Sequence, residues 1–339
     1  MKTLFFEDFA PGWTDTFGPV KVSKDDIITF ASEYDPQVFH VDEEKAANTF
    51  AGRLIASGWH SCSLASRILV DNLLNRASSL GSPGIEEARW IAPVFPNDEL
   101  FLEATVTDTR TSKSRPDIGL VQFLFKLCKQ DGAVSTAIRC WIFFRRREPD
   151  RETETSKAFA GVMKNAIARD PEAIPTPVLT ELACLDVLKP GTVTHLGSHV
   201  FQKDEIVRFA RAYDPQYFHL DAEAAKDSLF GNLCASGWNT SANWMRCFVR
   251  TNNRRAELTM ENGNPVPQIG PSPGFTNLKW LKPVFVGDEI HYRSEFREAR
   301  PSRSRPGWGL AFNHNVGINQ NGERVFEFDS VVFWQMSLS

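Results

Sequence analysis

Tyr-Asp-Pro-Gln-Val-Phe-His-Val-Asp, at residues 34–42, returns as Tyr-Asp-Pro-Gln-Tyr-Phe-His-Leu-Asp at residues 213–221. In both copies Ala-Ser-Gly-Trp follows at the same distance, at residues 56–59 and 235–238. An internal repeat of this kind indicates two structural units of one type. Duplicated packing alone would preserve the apolar pattern rather than the identity of Asp and His. The repeat therefore predicts a chemical site that is present once in each half.

The repeat extends beyond these motifs with one change of spacing. Phe30 matches Phe209 at an offset of 179, whereas Trp90 matches Trp280 at an offset of 190. The second half therefore contains an insertion of 11 residues, which we place within residues 251–270. That stretch is rich in Asn, Gly and Pro, so the sequence predicts a surface loop there.

Length and composition agree with two globular units. A chain of 339 residues is long enough for two domains. We predict an N-terminal domain at residues 1–147, a linker at 148–191 with a helix at 158–168, and a C-terminal domain at 192–339. Hydrophobic and charged contents of 42% and 24% are ordinary for a globular protein. The net charge of −4 argues against a nucleic-acid partner.

The cysteines and the apolar runs bear on compartment. Six scattered cysteines without a Cys-x-x-Cys pair are typical of reduced thiols rather than of a disulfide frame or a zinc site. No apolar run approaches the ~20 residues that a membrane span needs, and the N-terminus meets charge too early for a secretory signal. We therefore expect a cytoplasmic protein without a membrane partner and without a bound metal.

Both halves give the same order of elements, and the order predicts an α+β fold. Ser23 and Asp26 form a capping box before a helix at residues 24–33, repeated at 203–212. Asp42 and Asp221 are suited to cap a second short helix. Longer helices are predicted near 57–76 and 236–250. Antiparallel strands that wrap this helix are predicted at 88–94, 100–109, 119–129, 135–145, 277–284, 289–298, 310–319 and 324–335.

The repeated Asp and His are the candidate catalytic pair. Asp35 and His40 lie five residues apart across a turn that Pro36 enforces, as do Asp214 and His219 in the second half. Such a turn can direct a carboxylate and an imidazole at one pocket, as general acid–base chemistry requires. Alternatively, Asp35 caps the turn and His40 is a buried, satisfied core residue. The duplication at a fixed distance from Ser-Gly-Trp favours the functional interpretation.

The glycine and serine before each tryptophan are further candidates. Gly58 and Gly237 open the long helix, where free N–H groups and the helix dipole favour developing negative charge. Close packing of the helix on the sheet is the alternative use of a glycine. Ser57 and Ser236 are either helix N-caps or hydrogen-bond donors in the site, and the sequence leaves both open.

These residues resemble the signature of MaoC-like, (R)-specific enoyl-CoA hydratases, Asp-x-Asn-Pro-x-His-x-Asp followed by a Gly-x-x-x-Ala-His-Gly-Met-like helix start. The resemblance covers both halves. It implies a double hotdog fold, in which each half is a curled antiparallel sheet around one long helix. It also implies reversible hydration of a trans-2-enoyl-CoA to the (3R)-hydroxyacyl thioester, with coenzyme A as part of the substrate and no separate cofactor. The catalytic aspartate, histidine and oxyanion glycine would be Asp35, His40 and Gly58, and again Asp214, His219 and Gly237.

The chain departs from the signature near the helix start. Ser57 and Ser236 replace the family's histidine, and Trp59 and Trp238 replace its methionine. Bulky tryptophans at the pocket would change which acyl chains fit, so these four positions are predicted to contact substrate. Gln37 and Gln216 stand in place of the family's asparagine.

A second repeated motif, Ser-x-Ser-Arg-Pro at residues 112–116 and 302–306, contains Arg115 and Arg305. Arginine there is suited to coenzyme A phosphates, although a solvated arginine at a strand end explains the motif equally well.

Two other functions stay open: an acyl-CoA thioesterase, and a non-catalytic protein that binds acyl thioesters. Because sheets of this kind expose edges, we expect a homodimer of the whole chain.

Overall fold

The computed structural model of the protein describes residues 3–147, 173–174 and 178–337. The helix predicted at 158–168 lies outside the described residues. Among the described residues, no helix combines the length and the apolar character needed to span a membrane.

Each half contains three short helices followed by one long helix. Asp35 and Asp214 precede proline, and helices α1 and α5 end one residue before them because that position disfavours the α conformation. Asp42 and Asp221 cap the third helix of each half, as predicted, whereas the four-residue helices before them were not predicted. The helices are α1 (Lys24–Tyr34), α2 (Val38–Val41), α3 (Glu43–Ala46), α4 (Gly58–Asn72), α5 (Lys203–Tyr213), α6 (Tyr217–Leu220), α7 (Ala222–Ala225) and α8 (Gly237–Glu261).

Among the described residues, ten antiparallel strands, numbered in chain order, form a single continuous sheet in the order β1-β3-β4-β5-β2-β7-β10-β9-β8-β6. The α+β expectation is confirmed, and eight strands match predicted ones within a few residues. The edge strands β1 and β6 were not predicted. The strands are β1 (Thr14–Lys21), β2 (Gly84–Trp90), β3 (Glu99–Thr111), β4 (Ile118–Lys129), β5 (Val134–Arg145), β6 (Val193–Val200), β7 (Gly274–Trp280), β8 (Glu289–Pro301), β9 (Trp308–Asn319) and β10 (Arg324–Gln335).

The two halves join where β2 pairs with β7. Gly84 pairs with Lys279 and Arg89 pairs with Gly274, which is the reciprocal register that a two-fold relation between the repeats produces. The strands approach so closely that a Cβ on Gly84 would lie 2.0 Å from the Leu278 carbonyl oxygen. Gly274 has the same relation to the first half, so glycine at both positions is a steric requirement of the junction.

Most of α4 and the first turns of α8 are buried. On α4, the hydroxyls of Ser61 and Ser63 donate to carbonyls one turn earlier, which satisfies polar groups inside the core. The first helices of the two halves also meet across the two-fold relation. The rings of Phe30 and Tyr213 have centroids 5.5 Å apart, as do those of Tyr34 and Phe209.

The predicted loop within residues 251–270 is wrong in its first half. The insertion lengthens α8, which has 25 residues against the 15 of α4. The added length of α8 packs against residues 180–185, the described end of the predicted linker. There the buried Arg255 donates to the carbonyls of Thr180 and Glu181. Leu182 and Leu185 add a small apolar cluster beside it. The prediction that two chains associate stays a prediction.

Candidate active site

The backbone at each Asp-Pro step directs the aspartate side chain inward. Asp35 follows α1 with φ −147° and ψ 64°, and Asp214 follows α5 with φ −150° and ψ 66°. Both side chains are buried, at 2% and 5% exposure. Helix α2 begins two residues after the proline and places His40 on the same side of the chain as Asp35.

Two neutral donors hold each carboxylate. Ser57 Oγ donates to Asp35 Oδ2 at 2.6 Å, and Gln37 Nε2 donates to Asp35 Oδ1 at 2.9 Å. Ser57 is also the N-cap of α4, because its Oγ accepts the N–H of Trp59. Both alternatives for the serine therefore hold at once. The second half repeats the arrangement at Asp214, with donors Ser236 at 2.5 Å and Gln216 at 2.8 Å.

Each histidine is held by one ring nitrogen and faces its aspartate with the other. His40 Nδ1 lies 2.8 Å from the Ile55 carbonyl oxygen, which can only accept, so Nδ1 carries the hydrogen. His40 Nε2 then lies 3.4 Å from Asp35 Oδ2. His219 repeats this with the Cys234 carbonyl at 2.8 Å and Asp214 at 3.6 Å. Burial lowers the pKa of His219, which leaves its Nε2 available as a base.

The helix-start glycines serve packing and also leave an amide free. A Cβ on Gly58 would lie 2.3 Å from the Trp90 ring, and one on Gly237 would lie 2.3 Å from the Trp280 ring. The packing alternative therefore holds for both. In addition, no acceptor among the described residues takes the Gly58 N–H. That N–H remains available to a ligand in the cavity that Gly58 lines.

Both dyads open on a cavity whose far wall comes from the other half of the chain. Asp35, His40 and Gly58 line a cavity of about 480 Å³ that continues between α8, β7 and β10. Asp214 and its partners line a cavity of about 140 Å³ that continues between α4, β2 and β5. Neither half encloses a site alone.

Of the four predicted substrate-contacting positions at the helix starts, the two tryptophans line these cavities, whereas the two serines are completely buried behind them. Trp59 lines the first cavity and Trp238 the second, while Ser57 and Ser236 hold the carboxylates.

The two arginines differ from each other. Arg115 is buried, and its guanidinium donates to both oxygens of Asp117 at 2.8 and 2.6 Å. This internal ion pair argues against phosphate binding by Arg115, and the alternative of a solvated arginine is wrong for it. Arg305 is exposed and lies 3.7 Å over the ring of Phe50, which lines the first cavity.

Sequence reasoning missed two groups of residues at the site. Gln37 and Gln216 were noted only as departures from a signature, although their presence in both repeats could have indicated a role beside the aspartates. The far walls, such as Trp244 for the first cavity, could not be assigned because no sequence pattern indicated which half faces which cavity.

Comparison with known proteins agrees with this architecture. The family model "MaoC like domain" matches residues 11–119 and 165–306, more than half of the chain. The uncharacterized protein YdeM of Bacillus subtilis is 32% identical over 124 residues, covering 37% of this chain and 86% of that protein.

Two solved structures support the fold. A MaoC domain protein of Chloroflexus aurantiacus superposes with a TM-score of 0.78 and 17% identity, covering 99% of this chain and 98% of that one. A Mycobacterium tuberculosis protein with a double hotdog fold superposes with a TM-score of 0.69 and 12% identity, covering 98% of both chains. The expected double hotdog fold is confirmed.

Proposed function

The chain belongs to the MaoC-like domain family, and on this premise we propose that it catalyses reversible hydration of a trans-2-enoyl-CoA to the (3R)-hydroxyacyl thioester. One observation carries the proposal. A buried carboxylate and an imidazole nitrogen lie 3.4 Å apart at one cavity, beside a free helix N-terminal amide, and the second half repeats the pair at 3.6 Å.

The arrangement supports a complete set of proton transfers. Asp35, held by two neutral donors, orients a water molecule, and the unprotonated Nε2 of His40 takes one proton from it as the oxygen attacks C3. The enolate formed at the thioester is stabilised by the Gly58 N–H. His40 then donates this proton to C2, so that one water is added across the double bond without a change of oxidation state. Dehydration is the same sequence in reverse.

Coenzyme A contributes a diphosphate that needs a cation near the mouth of the cavity. We propose Arg305 for the first site, because its guanidinium is exposed and lies over Phe50. Gly307 stands where the first half has Asp117, so the motif of the second half lacks the acid that occupies Arg115. Arg305→Ala should raise KM for the CoA ester and leave kcat nearly unchanged.

The test uses crotonyl-CoA and aspartate variants. The wild type should consume the enoyl absorbance without releasing thiol, and Asp35→Asn/Asp214→Asn should lower turnover by ~10²–10⁴-fold. Asp42→Asn is the matched control, because Asp42 belongs to the same motif but caps α3 and pairs with Lys45 at the surface, away from the cavity. Its turnover should equal that of the wild type.

Three other results would contradict the proposal. Thiol release would indicate a thioesterase. Thermal stabilisation by CoA esters without turnover would indicate a binding protein. Unchanged hydration in the double variant would remove the aspartates from the mechanism.

A further inference from the structure

The two cavities share one plan but differ in shape. We propose that the two dyads act on acyl groups of different form, the Asp35–His40 site on broad, ring-bearing acyl groups and the Asp214–His219 site on slender, unbranched chains. This inference rests on the proposed function and specifies its substrates.

Three aromatic side chains from the second half, Trp244, Phe275 and Phe328, form the far wall of the first cavity and meet Trp59 of the first half there. The rings of Trp59 and Phe275 are stacked, with centroids 4.8 Å apart and an interplanar angle of 11°. Trp244 meets Phe328 edge to face at 4.6 Å, and Phe328 also meets Phe275. Among the described residues, the lining of this cavity includes none from β8 or β9. The first cavity therefore ends at an aromatic wall from α8, β7 and β10.

The second cavity has no such wall. The first half has small or aliphatic side chains at the corresponding positions of the repeat, Ala65, Ile85 and Ile138, and these line the second cavity. Without aromatic rings there, the cavity continues to Leu102 on β3 and Phe125 on β4. At these three positions the second cavity therefore has small or aliphatic side chains where the first has aromatic rings.

One substitution between the repeats narrows the second cavity beside its dyad. Phe230 stands where the first half has Ala51. Its ring contacts Phe218, with centroids 5.0 Å apart, and lies nearly parallel to the imidazole of His219 at 6.4 Å. Both Phe230 and Ala51 line their respective cavities, so the difference in side-chain size acts directly on the available width.

The volumes agree with this division. An engineered cavity of about 150 Å³ binds benzene, so roughly six carbon atoms nearly fill the 140 Å³ of the second cavity, which leaves no room for a ring with substituents. The 480 Å³ of the first cavity admits a ring with its substituents. Aromatic walls also favour aromatic ligands through edge-to-face and offset stacking, whereas Ala65, Ile85 and Ile138 offer an acyl chain only apolar contact at the same positions of the second cavity.

The experiment isolates each site in the full chain. Asp214→Asn leaves the first dyad active and Asp35→Asn leaves the second. Each variant is assayed for dehydration of 3-hydroxy-3-phenylpropanoyl-CoA and of (3R)-3-hydroxyhexanoyl-CoA, by appearance of the enoyl absorbance. The ratio of kcat/KM for the phenyl over the propyl substrate should be at least ~10-fold higher in Asp214→Asn, the discrimination that about one methylene of misfit provides.

Exchanging the residues that set the width gives an independent test. Phe230→Ala, added to Asp35→Asn, should raise the phenyl-to-propyl ratio of the second site. Ala51→Phe, added to Asp214→Asn, should lower the ratio of the first site. If one of these variants fails to fold by circular dichroism, the other still decides the matter.

The outcomes separate this inference from the proposed function. Equal ratios in the two single-site variants, or ratios that the width exchange leaves unchanged, would overturn the division of substrates while hydration stands. Absence of dehydration of both substrates by the wild type would overturn the proposed function itself.

Discussion

Replacing Ser57 by alanine removes one hydroxyl that makes two hydrogen bonds. The hydroxyl accepts the N–H of Trp59 as the N-cap of α4 and donates to the carboxylate of Asp35 at 2.6 Å. Loss of an N-cap costs about 1 kcal/mol. Loss of a buried hydrogen bond to a charged group costs a further ~1.5–3 kcal/mol. We therefore expect Ser57→Ala to lower the free energy of unfolding by roughly 2.5–4 kcal/mol.

Ser23 provides the matched control. It caps α1 in the same way and its hydroxyl also donates to a carboxylate at 2.6 Å, that of Asp26, but this pair is exposed to solvent. Ser23→Ala should therefore cost only about 1 kcal/mol. Urea unfolding of both variants measures the difference. Equal losses in the free energy of unfolding for the two variants would refute the idea that burial of the Asp35 carboxylate increases the contribution of its hydrogen bond with Ser57.

The same pair of variants separates stability from catalysis. In the Asp214→Asn background only the first dyad can act. Ser57→Ala should lower kcat there by ~10-fold or more, because a loss of ~1.4 kcal/mol of transition-state stabilisation lowers the rate tenfold. Ser23→Ala in that background should leave kcat unchanged. An unchanged kcat for Ser57→Ala would show that Asp35 does not need this anchor.

Three further predictions concern packing and acidity. Gly58→Ala should destabilise the protein by ~1–3 kcal/mol through overlap with the Trp90 ring, and Trp90→Phe should relieve part of that loss, which a thermal double-mutant cycle detects as non-additivity. Gly84→Ala should cost a similar ~1–3 kcal/mol in urea unfolding, because its Cβ would meet the Leu278 carbonyl oxygen. Burial lowers the pKa of His60 to about 3, so the unfolded state binds the proton first and stability falls as pH drops below about 6.5. His60→Asn should therefore lose ~2 kcal/mol less than the wild type between pH 7 and pH 5 in urea titrations.

Each of these has an outcome that would contradict it. Strict additivity of Gly58→Ala and Trp90→Phe would show that the ring does not dictate the glycine. For Gly84, the comparison is Gly132→Ala, where φ is also positive but nothing lies within 4 Å of the added Cβ. Equal costs for the two would remove the steric argument at the junction. Identical pH dependence of His60→Asn and the wild type would show that the buried imidazole is not acid-sensitive.

Local signals in the sequence predicted the elements that carry the dyads. The capping box of Ser23 and Asp26 forms as predicted, and α1 ends at the residue before Asp35 because Pro36 forbids continuation. Strand β1 escaped prediction because Gly18 and Pro19 interrupt it, since both residues are typical of turns and the register shifts there. An edge strand tolerates both residues.

Features that depend on distant parts of the chain could not be predicted. The Gly and Pro of the predicted loop all lie in residues 262–270, whereas residues 254–261 are mostly strong helix formers and continue α8. The partner of this added length could not be predicted, because Arg255 binds the chain before β6. The far walls of the cavities could not be predicted either. Phe275 contacts Trp59 only because β2 pairs with β7 and brings the two halves together.

Because each dyad faces a wall supplied by the other repeat, the two halves cannot evolve separately. A substitution in the wall of one half changes the cavity at the Asp–His pair of the other half. If the chain were cut between the repeats and the pieces separated, neither piece would keep a closed cavity. Because each repeat has its own stretch of sequence, the two walls can differ from each other, which is impossible in a symmetric pair of identical subunits.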